Sequence, residues 1–234
     1  MSAIKKVIIA LDQMSLEEIE QFLTQYQSSL FNLKIGLELF TKYGPSLLNK
    51  WHKKYNIPIF LDLKLHDIPK TVERSIASLA GIPLRFLTIH LSGGQNMIET
   101  AIMAQKKYLP QTALLGVSVL TSLDQNDLTE MYGQGVDINS QMNRFFFLAK
   151  KSGLRGLVLS AQDLQLLKKF EKKYHYQFTK VTPGIRFSDD HVGDQKRVMT
   201  PSLALENGAD FLVIGRSLTK TTALQKRFEE LKKI

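Results

Sequence analysis

The chain contains no cysteine. Disulfide frameworks and thiolate metal sites are excluded, and a reducing compartment is the natural setting. No apolar run approaches the length of a membrane span. The N-terminal Lys5-Lys6-Val7-Ile8-Ile9-Ala10-Leu11-Asp12 is too short for a secretory leader and runs straight into an aspartate. The expectation is a cytoplasmic protein without a membrane partner. Low-complexity linkers and short repeats are missing too, so nothing marks a domain boundary. Neither Gly-x-Ser-x-Gly nor a Walker A sequence occurs. The five histidines, at 52, 66, 90, 175 and 191, show no HxxxH or HExxH spacing. His66-Asp67 could in principle hold a hard ion, but Lys64 beside it would repel one. No metal is expected.

What is present is a chain of 234 residues, 44% of them hydrophobic, enough for a sizeable core. The formal charge of +9 favours anionic partners, such as nucleic acid or phosphorylated metabolites. Much of it lies on segments of helical character, 168–173 and 226–233 among them. Those read as solvated helix faces.

Eight short apolar runs alternate with longer amphipathic segments: 6–12, 31–37, 58–65, 86–91, 112–120, 156–160, 178–185 and 211–218. Near-continuous apolar runs are the signature of parallel strands buried on both faces. Ser15 and Glu18 have the spacing of a helix capping box, and Leu16, Ile19, Phe22 and Leu23 then form one apolar face. Leu164, Leu167, Phe170 and Tyr174 do the same later, which makes the basic-aromatic stretch 168–178 a half-buried helix rather than a nucleic-acid surface. Tyr132-Gly133-Gln134-Gly135 separates two helical pieces. The pattern predicts one α/β domain over 1–234, a closed (β/α)8 barrel of the TIM type. An open doubly wound sheet would need a glycine-rich turn after its first strand, and Leu11-Asp12-Gln13-Met14-Ser15 has no glycine.

Chemistry in such barrels sits at the carboxyl ends of the strands. Polar residues gather there: Asp12, Lys34 before Gly36, Asp62 with Lys64, His90 before Ser92-Gly93-Gly94, Thr121-Ser122, Thr182-Pro183-Gly184-Ile185-Arg186, and Gly215-Arg216. Asp62 and Lys64 are two apart, so on a strand they face the same way. With Asp12, Lys34 and Asp67 they make a local set of two lysines and three aspartates. Such a set costs stability relative to apolar packing, which favours a functional reason for it. Gly215-Arg216 falls where these barrels bind phosphate, and the long polar stretch 186–200 has the length of a lid.

The stretch Asp62-Leu63-Lys64-Leu65-His66-Asp67-Ile68-Pro69-Lys70-Thr71 resembles the signature of the orotidine 5'-phosphate decarboxylase family. Leu11-Asp12, Lys34-Ile35-Gly36, His90-x-Ser-Gly-Gly, Leu120-Thr121-Ser122, the Thr182–Arg186 run, Asp194-Gln195-x-Arg-Val and Ile214-Gly215-Arg216-Ser217 follow in that family's order, and the length is similar to its compact bacterial form. The resemblance implies a homodimeric barrel with shared active sites that removes CO2 from orotidine 5'-phosphate to give UMP, without metal or cofactor. It implies Lys64 as proton donor to C6, Asp62 beside the departing carboxylate, and Lys34 and Asp12 completing the charged array and touching ribose. Asp67, Ile68 and Thr71 would serve the neighbouring subunit's site. Thr121 would meet the pyrimidine edge and Pro183 line the base pocket, while Gln195, Gly215 and Arg216, with Arg186 nearby, would hold phosphate.

Two other readings stand beside it. Related barrels with an Asp-x-Lys-x-x-Asp strand act on sugar phosphates with magnesium; they would be expected to carry a further carboxylate, often on strand 2, where this chain has Lys34. A basic nucleic-acid-binding barrel is the other, but no nucleic-acid motif occurs and the basic residues are scattered rather than striped.

Overall fold

Eight parallel strands close into a barrel in sequence order, with the last, β8, pairing with the first, β1. The computed structural model describes residues 3–26, 32–190 and 198–234. The strands are β1 (Val7–Ala10), β2 (Leu33–Gly36), β3 (Ile59–Leu65), β4 (Leu84–His90), β5 (Ala113–Val117), β6 (Gly156–Val158), β7 (Thr179–Thr182) and β8 (Phe211–Ile214). Their outer helices include α1 (Leu16–Tyr26), α2 (Leu37–Tyr55), α3 (Pro69–Ala77), α4 (Gly94–Tyr108), α5 (Gln125–Tyr132), α6 (Ile138–Ser152), α7 (Leu164–Tyr174) and α8 (Pro201–Glu206). After β8 come the short α9 (Arg216–Thr219) and α10 (Leu224–Lys233). The closed sheet is the predicted architecture.

Local sequence explains the joints. The Ser15 hydroxyl accepts from the Glu18 amide, and the Glu18 carboxylate accepts from the Ser15 amide, so the capping box forms as its spacing predicts. Asp124 and Asp127 make a second box at the start of α5. Gly133 and Gly135 carry positive φ between α5 and α6, where the sequence separates two helices. Pro45 and left-handed Gly44 kink α2.

The hydrophobic core has two layers. Ile8, Ala10, Phe60, Phe86, Leu115, Val181 and Val213 fill the barrel interior, with Phe60 and Phe86 edge to face. The larger shell lies between barrel and helices, and includes Ile19, Phe22 and Leu23 of α1 and Leu164, Leu167 and Phe170 of α7. Truncating a fully buried ring such as Phe60 to alanine typically costs about 3–5 kcal/mol. That packed plug makes the two barrel ends separate places.

Two expectations need correction. The run 211–218 is not one strand: it ends at Ile214, and Arg216 opens the short helix α9. The segment 226–233 is not wholly a solvated face, because Arg227 is buried on α10.

Candidate active site

At the carboxyl end of the strands, four charges form a chain of alternating sign. Asp12 Oδ2 lies 2.7 Å from Lys34 Nζ, Lys34 Nζ lies 3.5 Å from Asp62 Oδ2, and that oxygen accepts a 2.9 Å hydrogen bond from Lys64 Nζ. Each carboxylate or ammonium in the middle has a partner on both sides, which offsets the cost of taking it out of water. Gly36 makes room: a Cβ there would stand 2.6 Å from Asp12 Oδ1 and 3.1 Å from Lys34 Nζ.

Lys64 does not reach this position from a regular strand. Its φ is +49°, and the pairing of β3 with β4 shifts between Leu61 and Leu65. A left-handed non-glycine residue costs about 1–3 kcal/mol, a strain found mostly at functional sites. Thr88 of β4 holds the bulge. Its hydroxyl accepts from the Lys64 amide at 2.8 Å and donates to Asp62 Oδ1 at 3.0 Å. Asp62 and Lys64 do share a side, as the two-residue spacing predicts, but through a bulge the spacing does not contain. The Thr88 hydroxyl escaped sequence reasoning, because one threonine inside an apolar strand carries no signal.

Electrostatics follow from burial and neighbours. Burial pushes the Asp62 carboxyl upward, but the charges of Lys34 and Lys64 and the hydrogen bonds from Lys64 and Thr88 outweigh it, so it lies below its usual value. Burial pulls Lys34 downward, and Asp62 and Asp12 overcome that, leaving it raised. Both groups therefore stay ionised at neutral pH. The Lys34 and Asp62 side chains are only 10% and 11% exposed, whereas that of Lys64 is 31% exposed. Lys64 is the ammonium of this chain that can meet a ligand.

The cavity beside it has a volume of about 250 Å³. Its inner wall is apolar, from Ala10, Phe60, Val117, Val158 and Val213. Asp12, Lys34, Asp62, Lys64, Thr121, Pro183, Arg186, Gly215 and Arg216 all line it, together with Gln13, which the sequence did not single out. Arg186 and Arg216 also border a second recess that contains Lys220 and Thr221. Burial first, and then the charge of Arg216, depress the Arg186 guanidinium against the opposing pull of Asp190. Two guanidiniums at one end of a cavity have the chemistry that suits an anion.

Arg227 braces that end. Its guanidinium lies 2.7 Å from Asp190 Oδ1 and 3.3 Å from Asp189 Oδ1, donates to the Ser217 carbonyl at 2.7 Å, and stacks 4.5 Å over the Phe187 ring. It ties the start of the 186–200 stretch to α9, which carries Arg216. Its place among lysines and glutamates hid it in the sequence.

Three residues fall outside the cavity. Asp67, Ile68 and Thr71 are exposed on this chain, and Asp67 Oδ1 accepts from the Ile68 amide at 2.7 Å. The local set is thus two lysines and two aspartates, because the chain turns away after Leu65 and carries Asp67 outward. Ile68, 67% exposed, is an apolar side chain left in the open. Gln195, with His191, lies outside the described residues. His66 and His90 stack at 5.4 Å near Lys64, and no group of three possible metal ligands occurs among the described residues. Nor is any helix there long and apolar enough to cross a membrane.

The profile of the orotidine 5'-phosphate decarboxylase / HUMPS family matches residues 5–231. The chain belongs to this family. Among curated family relatives, the orotidine 5'-phosphate decarboxylase of Coxiella burnetii (strain RSA 331 / Henzerling II) is 41% identical over 230 residues, covering 97% of this chain and 95% of that protein. The enzyme of the same name from Vibrio atlanticus is 40% identical over 219 residues, with 92% of each covered. Of solved structures, orotidine 5'-phosphate decarboxylase from Lactobacillus acidophilus superposes with a TM-score of 0.81 at 31% identity, covering 97% of both chains. An uncharacterized conserved protein from Geobacillus kaustophilus gives the same score and identity over 97% of this chain and 98% of that one.

Proposed function

We propose that this chain decarboxylates orotidine 5'-phosphate to UMP, the last step of de novo pyrimidine nucleotide synthesis. The observation that carries the reading is the alternating Asp12–Lys34–Asp62–Lys64 chain, ending on a partly exposed ammonium beside an apolar wall. In the reaction the bond from C6 to the carboxylate breaks and CO2 leaves. The electron pair stays on C6, the Lys64 ammonium supplies the proton, and solvent recharges the lysine. Lys64 is held as a fixed cation where negative charge develops, which is the arrangement that lowers such a barrier most. Asp62 keeps it oriented and stands beside the departing carboxylate. Lys34 and Asp12 complete the array and meet the ribose.

The base lies against the apolar wall with Thr121 at its edge and Pro183 beside it, a placement supported by their shared lining of the cavity. Arg216, Gly215 and Arg186, joined by Gln195, take the phosphate. That group is remote from C6, so its binding energy can be spent on orienting the base at the reacting centre. Asp67, Ile68 and Thr71 act in the site of a second copy; their exposure, with Ile68 uncovered, supports a homodimer. We place the enzyme in the cytoplasm, as one catalytic domain over 1–234.

A divalent ion between Asp12 and Asp62 is disfavoured because Lys34 Nζ already occupies that place. The test is the ultraviolet absorbance of orotidine 5'-phosphate with purified protein in EDTA. Steady conversion to UMP is expected, and activity that vanishes with EDTA and returns with magnesium would overturn the metal-free reading. Sharing of sites is tested by mixing Lys64→Ala with Asp67→Ala subunits. Random exchange puts one intact site in each hybrid, so recovery of up to about a quarter of wild-type activity is expected. No recovery, with exchange confirmed, would rule out Asp67 acting across the dimer.

A further inference from the structure

The amino-terminal end of the barrel holds a second cavity, of about 570 Å³, separated from the first by the aromatic plug. Its volume falls within the roughly 300–1,000 Å³ of small-molecule sites. Five cations line it, Lys5, Lys6, Arg85, Arg155 and Lys180, against one carboxylate, Asp210. They come from segments just before or at the start of β1, β4, β6 and β7, so only closure of the barrel brings them together.

Lys180 is neutralised where it stands, 3.4 Å from Glu171 and 3.5 Å from Asp210. The other four cations have no ion pair among the described residues. Arg85 is the telling one. Its guanidinium sits half-buried over the rings of Phe86 and Phe211, at 5.3 and 4.7 Å. Among the described residues its hydrogen-bond partner is the side-chain oxygen of Asn32, which is itself fully buried. Asn32 in turn donates to the Val7 carbonyl at 3.0 Å, which fixes both groups. Burial depresses the Arg85 guanidinium with no opposing carboxylate. A held, partly desolvated cation that lines a cavity with three more unpaired cations, its one acid Asp210 already taken by Lys180, is complementary to a multiply charged anion. Were this end only a solvated surface, Arg85 would gain by extending into water, as exposed arginines do.

We propose that this cavity binds an organic di- or triphosphate, through its polyphosphate group, at a site separate from the active site. Arg85 holds one phosphate against the barrel floor, and Lys5, Lys6 and Arg155 take the rest at the rim.

The test is isothermal titration calorimetry of the full chain with tripolyphosphate and, separately, with ATP. Lys6→Glu/Arg155→Glu should weaken both by at least about tenfold, since it reverses two of the proposed charge-assisted contacts. Arg216→Ala, at the other end, should leave both unchanged. Lys53→Glu/Lys168→Glu, matched in charge but on exposed helix positions elsewhere, should change them little. Equal weakening by the matched control would mean general electrostatic attraction and overturn the proposal. So would loss on Arg216→Ala alone, or no heat with either probe. Tighter ATP than tripolyphosphate assigns an organic ligand; equal affinities assign the polyphosphate chain alone as what is recognised. Because the Lys6 and Arg155 side chains lie outside the active site, turnover of orotidine 5'-phosphate by Lys6→Glu/Arg155→Glu should match wild type. That separates failure here from failure of the catalytic reading.

Discussion

The two ends of the barrel treat charge in opposite ways. At the carboxyl end, Asp12, Lys34, Asp62 and Lys64 neutralise one another over 2.7–3.5 Å, and the innermost pair is nearly sealed from water. At the amino end, four of the five cations lining a cavity have no ion pair among the described residues, and the one carboxylate there, Asp210, is taken by Lys180. Balanced charge is fixed before any ligand arrives, which is what catalysis by preorganised electrostatics requires. Unbalanced charge is completed by a ligand, which is what binding requires. On the proposed reading, the balanced cluster serves the chemistry and the unbalanced one serves binding.

The sharpest break of that comparison is Lys64→Ala. Loss of the fixed cation and proton donor should lower kcat by about 10³-fold or more, with the fold retained by circular dichroism. Lys6→Glu/Arg155→Glu should leave kcat near wild type. If Lys64→Ala kept substantial turnover, the balanced cluster would be structural and the distinction between the ends would collapse.

Next in size is Asp62→Asn, which probes the balance itself. It takes the carboxylate partner from Lys64 and one of two from the buried Lys34, while Thr88 keeps a partner; breaking a fully buried pair costs about 3–5 kcal/mol, and the water access of Lys64 and the remaining Asp12 bring this loss below that. The pH dependence has a definite sign. Asp62 is depressed in the folded chain, so its contribution is full above the ordinary carboxylate value of 3.8 and is lost as pH falls through the lower folded value. Lys34 is raised, so its contribution is full below 10.5 and is lost only as pH rises beyond that. The gap between wild-type and Asp62→Asn thermal midpoints should stay constant across neutral pH and close in acid. A gap that instead opened in acid would contradict the assignment of Asp62 as a stabilised carboxylate.

How much of this is legible in the sequence differs between the ends for a physical reason. The barrel shows itself as apolar runs recurring between amphipathic segments, and Asp62 with Lys64 as a two-residue spacing. Both are local in the chain. The left-handed turn at Lys64 is not legible, because Leu63-Lys64-Leu65 has no glycine and its bulge is held by Thr88 from the next strand. Arg227 is hidden by a sequence that reads as exposed helix, since its burial depends on Asp190 and Phe187 some forty residues away. The amino-terminal cavity draws on residues from 5 to 211, each ordinary in its own stretch. Spacing reveals partners on one element; charge balance across elements needs the closed barrel.

Arg216→Ala tests recognition at the catalytic end. One guanidinium of the proposed anion seat is removed while Lys64 and Asp62 are untouched, so KM should rise by about 10²-fold with a smaller change in kcat. An unchanged KM would move the phosphate away from α9.

The smallest expected effect is the most selective. Among the described residues, a Cβ at Gly215 would meet the Ala10 Cβ at 3.5 Å and the Ala10 carbonyl at 3.8 Å, both ordinary contacts. Its φ of −104° lies outside the left-handed region, so alanine is not excluded there on that ground. Among the described residues, no side-chain or backbone contact demands glycine at 215. If glycine is there for the ligand, Gly215→Ala should keep the wild-type melting temperature and raise KM by about tenfold, because the methyl group stands where phosphate approaches the backbone. Gly36→Ala is the contrast: its Cβ collides with Asp12 and Lys34, so it should lower stability as well as activity. An unaltered KM in Gly215→Ala would show that the anion seat consists of its guanidiniums alone, with the backbone at β8 taking no part.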